Sequence, residues 1–183
     1  MPTEAEKVSF LDEDFYDCLR WLVVAAHAWD APQDRIAHQK VLAMMTAFVQ
    51  ARALYEFYRP RSGGGDDDGA RAHDFCPAGA DVSKLVDSHP ELRRYLGHGE
   101  AANKRLFHLV YGRSGHSGGN QPDESDDLKD QVRLVAERMV AVTRRFVHLA
   151  KSDYKQRIED ALTKALDDGC RAARAYGLDT PIT

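Results

Sequence analysis

The sequence predicts an all-α fold: one antiparallel bundle of four to five long helices plus one short helix. Three observations carry that prediction. Leu128, Val132, Val135, Met139, Val142, Phe146 and Leu149 step by four and three in alternation, the signature of one apolar helix face. Two further stretches repeat that spacing. Nowhere do apolar and polar residues alternate in the two-residue period of a half-buried strand.

Taken in order, residues 1 to about 10 read as a frayed terminus. From about Asp12 to Trp29, Phe15, Leu19, Leu22, Val23 and Ala26 recur at helical spacing, and Asp30-Ala31-Pro32 ends the helix. A second helix opens near Pro32 to Asp34, where proline and an acid suit a first turn. Its stripe is Ala37, Val41, Met44, Phe48, Ala51, Tyr55 and Tyr58, and Arg59-Pro60 closes it.

Periodicity then stops. Residues of about 60–72 form a flexible acidic loop around Gly63-Gly64-Gly65-Asp66-Asp67-Asp68, with Phe75 as the next apolar anchor. Ser88 and Glu91 have capping-box spacing and open a short helix to about Leu96. Another helix runs from about Glu100 to Tyr111, and Gly112 ends it. Residues of about 112–124 are a polar, glycine-rich loop. It has no strand before it and no Gly-Lys-Ser/Thr ending, so it is not a phosphate-binding P-loop. Asp126 and Asp127 suit the start of the strongly periodic helix. Lys151-Ser152-Asp153 kinks or divides it, and a last helix uses Tyr154, Ile158, Leu162, Ala165 and Ala172 before Gly177.

The 183 residues suit a single domain over residues 1–183, and 43% hydrophobic with 30% charged residues is ordinary for a globular protein. The net charge of −4 does not advertise nucleic-acid binding over the whole surface. Locally the balance reverses: from Glu91 to Arg113 five basic residues (Arg93, Arg94, Lys104, Arg105, Arg113) face two acids (Glu91, Glu100). Cys18, Cys76 and Cys170 are scattered, without a Cys-x-x-Cys pair, which fits a reducing cytoplasm. No signal-peptide pattern opens the chain, and the longest apolar run, Trp21 to Ala26, is too short to cross a bilayer. No membrane association is expected.

The candidate chemistry centres on Asn103-Lys104-Arg105-Leu106-Phe107-His108-Leu109-Val110-Tyr111-Gly112-Arg113. Arg105 and His108, at i and i+3, share a helix face. A neighbouring cation pushes an imidazole toward its neutral form, the form a general base needs. The plainer alternative is a packed, hydrogen-bonded core histidine. Five histidines fall between His73 and His116, yet no His-x-x-x-His or Glu-x-x-His occurs on a helix, so neither a metal nor another cofactor is expected. Cys76, shortly after His73, lacks a third orienting residue for nucleophilic catalysis. Acid–base cleavage at a ribose 2′-OH needs only a histidine and a cation for the phosphorane, which His108 with Arg105 or Arg113 supplies in kind, while Asn103 suits a phosphate oxygen.

Three stretches also resemble a family. Phe48-Val49-Gln50-Ala51-Arg52-Ala53-Leu54-Tyr55-Glu56-Phe57, then Asp67-Asp68 with Ala72-His73-Asp74-Phe75, then Asn103 to Arg113 occur in the order and spacing of uncharacterised bacterial helical proteins similar to HEPN domains, including abortive-infection types. The resemblance spans about Val41 to Arg113. It implies a small helical bundle, commonly a homodimer, and in active members a metal-independent ribonuclease using an arginine and a histidine with four to six residues between them. Carried over, the histidine is His108. The arginine position five residues upstream is Asn103 here, a departure that leaves Arg52 on the neighbouring helix as the substitute. The pairs Arg20/His27 and Arg93/His98 also meet the bare spacing and are read as chance.

The expected function is therefore a cytoplasmic helical module that binds RNA or a protein partner through a polar cluster. Arg52 and His108 are its candidate catalytic pair, and Asp74, Asn103, Arg105, Tyr111 and Arg113 are its binding residues. A metal-independent ribonuclease of a toxin or phage-defence system is one alternative. A purely structural buried network, with Arg52 pairing Asp74, is the other.

Overall fold

A computed structural model describes residues 2–31, 37–59, 69–96, 124–178 and 182. Among them every regular element is helical. In chain order these are α1 (Glu4–Phe10), a π-helical turn (Leu11–Phe15), α2 (Tyr16–Asp30), α3 (Ala37–Tyr58), a 3₁₀ turn (Ala72–Phe75), α4 (Ser83–Asp87), α5 (Pro90–Leu96), α6 (Glu124–Leu149) and α7 (Ser152–Ala175). The helix expected at residues 100–111, the loop after it and the aspartate run at 66–68 lie outside the described residues.

The chain's first turn differs from the frayed end expected of it. The Thr3 hydroxyl accepts the Glu6 N–H at 3.3 Å, and the Glu6 carboxylate accepts the Thr3 N–H at 2.7 Å. That reciprocal capping satisfies two donors and starts α1 at once. The signal was present as Thr-x-x-Glu. The π turn then inserts extra residues into the ladder, so Leu11 and Phe15 face inward with Leu19, Leu22, Val23 and Ala26.

Buried residues on α3 include Met44, Phe48, Ala51, Tyr55 and Tyr58 of the expected stripe, but also Ala43, Ala47, Leu54 and Phe57. A helix apolar over so wide an arc is enclosed from several sides. Neighbours α2, α6 and the short elements α4 and α5 supply that enclosure.

The capping box expected of Ser88 does not form. Its hydroxyl donates to the Leu85 carbonyl at 2.9 Å, closing α4 instead of opening α5. Pro90 occupies the first position of α5, where a missing N–H costs nothing. Neither α4 nor the 3₁₀ turn was foreseen, because each is too short for a periodic stripe.

On α6 the expected face is buried from Val132 to Phe146, while Leu149 is 36% exposed at the helix end. Lys151 does divide the last two helices, and its N–H donates to the Phe75 carbonyl at 2.9 Å. At the end of α7 the Leu178 N–H reaches the Ala173 carbonyl and the Gly177 N–H the Arg174 carbonyl, with Gly177 at φ 71°. That is the left-handed glycine cap expected at this position.

Contacts along the helices fix their directions. Glu4 meets Tyr154, Asp12 meets Arg157, and Tyr16 meets Asp168, so the first helical stretch and α7 run parallel. Asp30 meets Arg133 and Phe15 meets Phe146, so α2 and α6 run antiparallel. Tyr58 at the end of α3 also meets Phe146, far from the start of α6. The short helices α4 and α5 run back from that end: Ser88 meets Arg145, Glu91 meets Arg138 and Leu96 meets Arg52.

The core is knit by rings. Phe57 lies 5.3 Å from Phe15 and 5.5 Å from Phe146, the latter edge-on at 87°. Phe75 meets Tyr154 edge-on at 5.1 Å, which anchors the 3₁₀ turn to α7. Such tilted and edge-on pairs suit the ring quadrupole. Gly169 lets α7 approach α2: a Cβ there would fall 2.2 Å from Val23 Cγ1.

Candidate functional site

Two residues of the expected cluster, Arg52 and Asp74, lie among the described residues. They belong to one chain of polar contacts. Arg52 Nη1 donates to the Leu96 carbonyl at the end of α5, a cation at a helix C-terminus. Arg52 Nη2 pairs with Glu56 Oε1 at 2.7 Å, one turn on along α3. The Glu56 carbonyl, in the last turn of α3, accepts from Arg71 Nη1 at 2.6 Å. The Arg71 N–H then donates to Asp74 Oδ2 at 2.8 Å, and Asp74 Oδ1 faces His73 Nε2 at 3.4 Å.

Each link has a structural purpose. Arg52 ties α5 to α3, and Arg71 ties the 3₁₀ turn to the end of α3. Asp74, its side chain only 8% exposed, satisfies the main chain that enters the turn. Arg52 and Asp74 are thus joined through Glu56 and Arg71 and are held by different partners. The network is anchored in helix ends, yet Arg52, Glu56 and Arg71 stay partly exposed. Asn103, Arg105, His108, Tyr111 and Arg113 lie outside the described residues.

Beside this network lies a cleft of about 130 Å³, lined by Tyr58, Arg59, His73, Ala80, Asp81, Val82 and Ser83. Arg59 is steadied by the Tyr55 hydroxyl, which accepts from Nη1 at 2.8 Å. Asp81 accepts from Ser83 Oγ at 2.8 Å and pairs with Lys84 at 2.9 Å, and those bonds hold its carboxyl below the usual range. With its hydroxyl given to Asp81, Ser83 is not presented to His73 as a nucleophile would be. Cys76 is buried, and burial pushes its thiol up to about 11. A thiol so hard to ionise is a poor nucleophile.

A second feature is the outward face of α5. Its acid, Glu91, pairs with Arg138 Nε at 2.7 Å, with His89 Nδ1 at 3.8 Å, and sits low in pKa; its own backbone N–H is the first cause. Burial keeps His89 below the ordinary imidazole value. With Glu91 occupied by Arg138, α5 exposes Arg93 and Arg94, and the Arg94 guanidinium lies 5.5 Å from the Tyr95 ring centroid.

The side chains of Arg20 and His27 go to different partners. Arg20 Nε reaches Asp168 at 3.2 Å and its guanidinium lies over Trp21. His27 is buried among α2, α6 and α7, and burial lowers it to about 4. Glu56, Arg59 and Arg71 were missed in the sequence. Arg71 and Asp74 do have the i, i+3 spacing of a capped turn, but four helical residues give no stripe to support it.

Among the described residues no group of three metal-ligating side chains occurs, and no helix is long and apolar enough to cross a membrane. What fold and site define is an all-helical protein with a polar seam between α3, α5 and the 3₁₀ turn. Comparison with protein-family models, with curated proteins and with solved structures finds no match.

Proposed function

We propose that this chain is a helical module that binds RNA along its sugar–phosphate backbone, with α5 as one edge of the binding surface. One observation carries this reading. The Glu91–Arg138 pair leaves Arg93 and Arg94 facing outward without an acid of their own helix, beside an aromatic ring. Guanidinium groups recognise phosphate oxygens in bidentate fashion, and a tyrosine offers a flat face on which an unpaired base stacks. The sequence continues in the same sense, with Lys104, Arg105 and Arg113 following α5. The resemblance to HEPN-like proteins supports an RNA partner as well.

Fluorescence anisotropy with a labelled single-stranded RNA at several salt concentrations tests this. The Arg93→Ala/Arg94→Ala double variant is expected to bind more weakly, and its log–log salt slope to fall by about 1.4, from about 0.7 per phosphate contact on a single strand. An unchanged slope, or no RNA binding by the wild type, defeats the proposal and leaves a protein partner as the reading. Cleavage is read in the same tubes. RNA decay without metal that stops in His108→Ala makes the module a ribonuclease; equal decay in both makes it a binder only.

A further inference from the structure

His27 is wholly buried, and its ring nitrogens are not balanced. Nε2 accepts the main-chain N–H of Ile182 at 3.2 Å, a contact 155 residues apart in sequence. Accepting there places the imidazole proton on Nδ1, and Nδ1 is buried with no hydrogen-bond partner among the described residues. Ile182 is itself 1% exposed and belongs to the main core cluster. Gly169 of α7 closes the other side, with a virtual Cβ 3.6 Å from His27 Cδ2 and 2.2 Å from Val23 Cγ1. The ring has little room to turn.

Among the described residues, the charges around this seat favour a neutral ring or are already matched. From α6 the facing charge is Arg133, paired with Asp30 at 3.1 Å and Glu137 at 2.8 Å. Asp30, in the same last turn of α2 as His27, is committed to that pair. From α7 the approach is glycine backbone, while the adjacent Asp168 is turned to Tyr16 and Arg20.

We propose that the seat of Ile182 on His27 is an acid-released clasp, in which protonation of the imidazole expels Ile182 from the bundle. The chemistry is a proton transfer from solvent to Nε2. It consumes the only lone pair that holds the Ile182 N–H and sets two donors against each other. Among the described residues no carboxylate is bonded to the ring to accept from the new N–H. With Ile182 docked, burial lowers the imidazole from 6.5 to about 4. The sign follows: the clasp is complete above pH 6.5 and weakens as pH falls toward 4, by at most roughly 300-fold. The onset lies in the mildly acidic range.

The test follows the Ile182 amide and the His27 ring protons of the full chain by NMR from pH 7.5 to 4, with far-UV circular dichroism alongside. In the wild type the Ile182 amide should lose exchange protection below pH 6.5 while the helices persist. His27→Gln, which keeps a neutral acceptor, should hold the amide to lower pH. Ile182→Pro, which removes the donor without touching the ring, should raise the His27 titration midpoint toward 6.5; it decides the matter if His27→Gln does not fold. A wild-type amide protected down to pH 4, the same pH dependence in His27→Gln, or an unmoved midpoint in Ile182→Pro overturns the proposal.

Discussion

Tyr58 and Thr143 are the polar pair that the core tolerates. Thr143 Oγ1 donates to the Met139 carbonyl at 2.9 Å, so the hydroxyl proton of Tyr58 points at Thr143 across another 2.9 Å. Burial raises the Tyr58 phenol far above its usual value, so it stays a donor at any ordinary pH. Tyr58→Phe removes that donor but keeps the ring against Phe57 and Phe146. A loss of about 1 kcal/mol in denaturant unfolding is expected, and a loss as large as that of Phe146→Ala would show the ring packing misjudged. Phe146→Ala, at the junction of four rings, should cost about 3–5 kcal/mol. Gly169→Ala forces a methyl into Val23, and about 1–3 kcal/mol of destabilisation is expected from overpacking. The periodicity of α7 revealed Ile158, Leu162 and Ala165. It did not reveal Gly169, because a glycine on a stripe looks like a gap until the facing helix is known.

Helix ends were less visible than helix middles. Thr3 and Glu6 form a capping box that the apolar pattern did not flag, since α1 itself has no buried residue. The helix is held by its cap, by Glu4 at the Tyr154 hydroxyl, and by Phe10, which stacks on Phe57 at 5.3 Å. Thr3→Ala should therefore fray α1 locally, at a cost of about 1 kcal/mol, with amide exchange accelerating in residues 4–10 and unchanged in α6. Ser88 shows the opposite error. Its spacing to Glu91 fits a capping box, yet the Leu85 carbonyl at the end of α4 takes the hydroxyl first. Two short helices compete for one side chain, and only their relative placement decides which is served. The same holds at Arg52: helical spacing pairs it with Glu56, whereas the Leu96 carbonyl is reached only because α5 packs on α3.

For the whole molecule, the surface charges matter through their neighbours. Glu91 and Arg93 are close in sequence, but Arg138 of α6 removes the acid from the local balance and leaves the arginines uncompensated. This is why a chain with a net charge of −4 can still carry a locally cationic edge along α5. Acid stability has a similar origin. His27 sits below its ordinary value because it is buried, so the unfolded chain takes up a proton before the folded one does. Stability should be full above pH 6.5 and decline as pH falls toward 4. Thermal denaturation at pH 7 and pH 5 checks it: Tm should drop by less in His27→Gln than in the wild type.

Fold class and most buried positions were settled by the sequence alone, because a 3.6-residue apolar period can be met only by a helix that buries one face. The stripe from Val132 to Phe146 and the positions Phe15, Leu19, Leu22 and Val23 follow directly from it. The tertiary structure alone decided the rest: the parallel course of α2 and α7, the route from Arg52 through Glu56 and Arg71 to Asp74, and the docking of Ile182 on His27. Those contacts join residues whose partners lie on other elements or at helix ends. A side chain's periodicity says which way it faces; what it meets there depends on the direction and offset of the neighbouring helix, which no local pattern encodes.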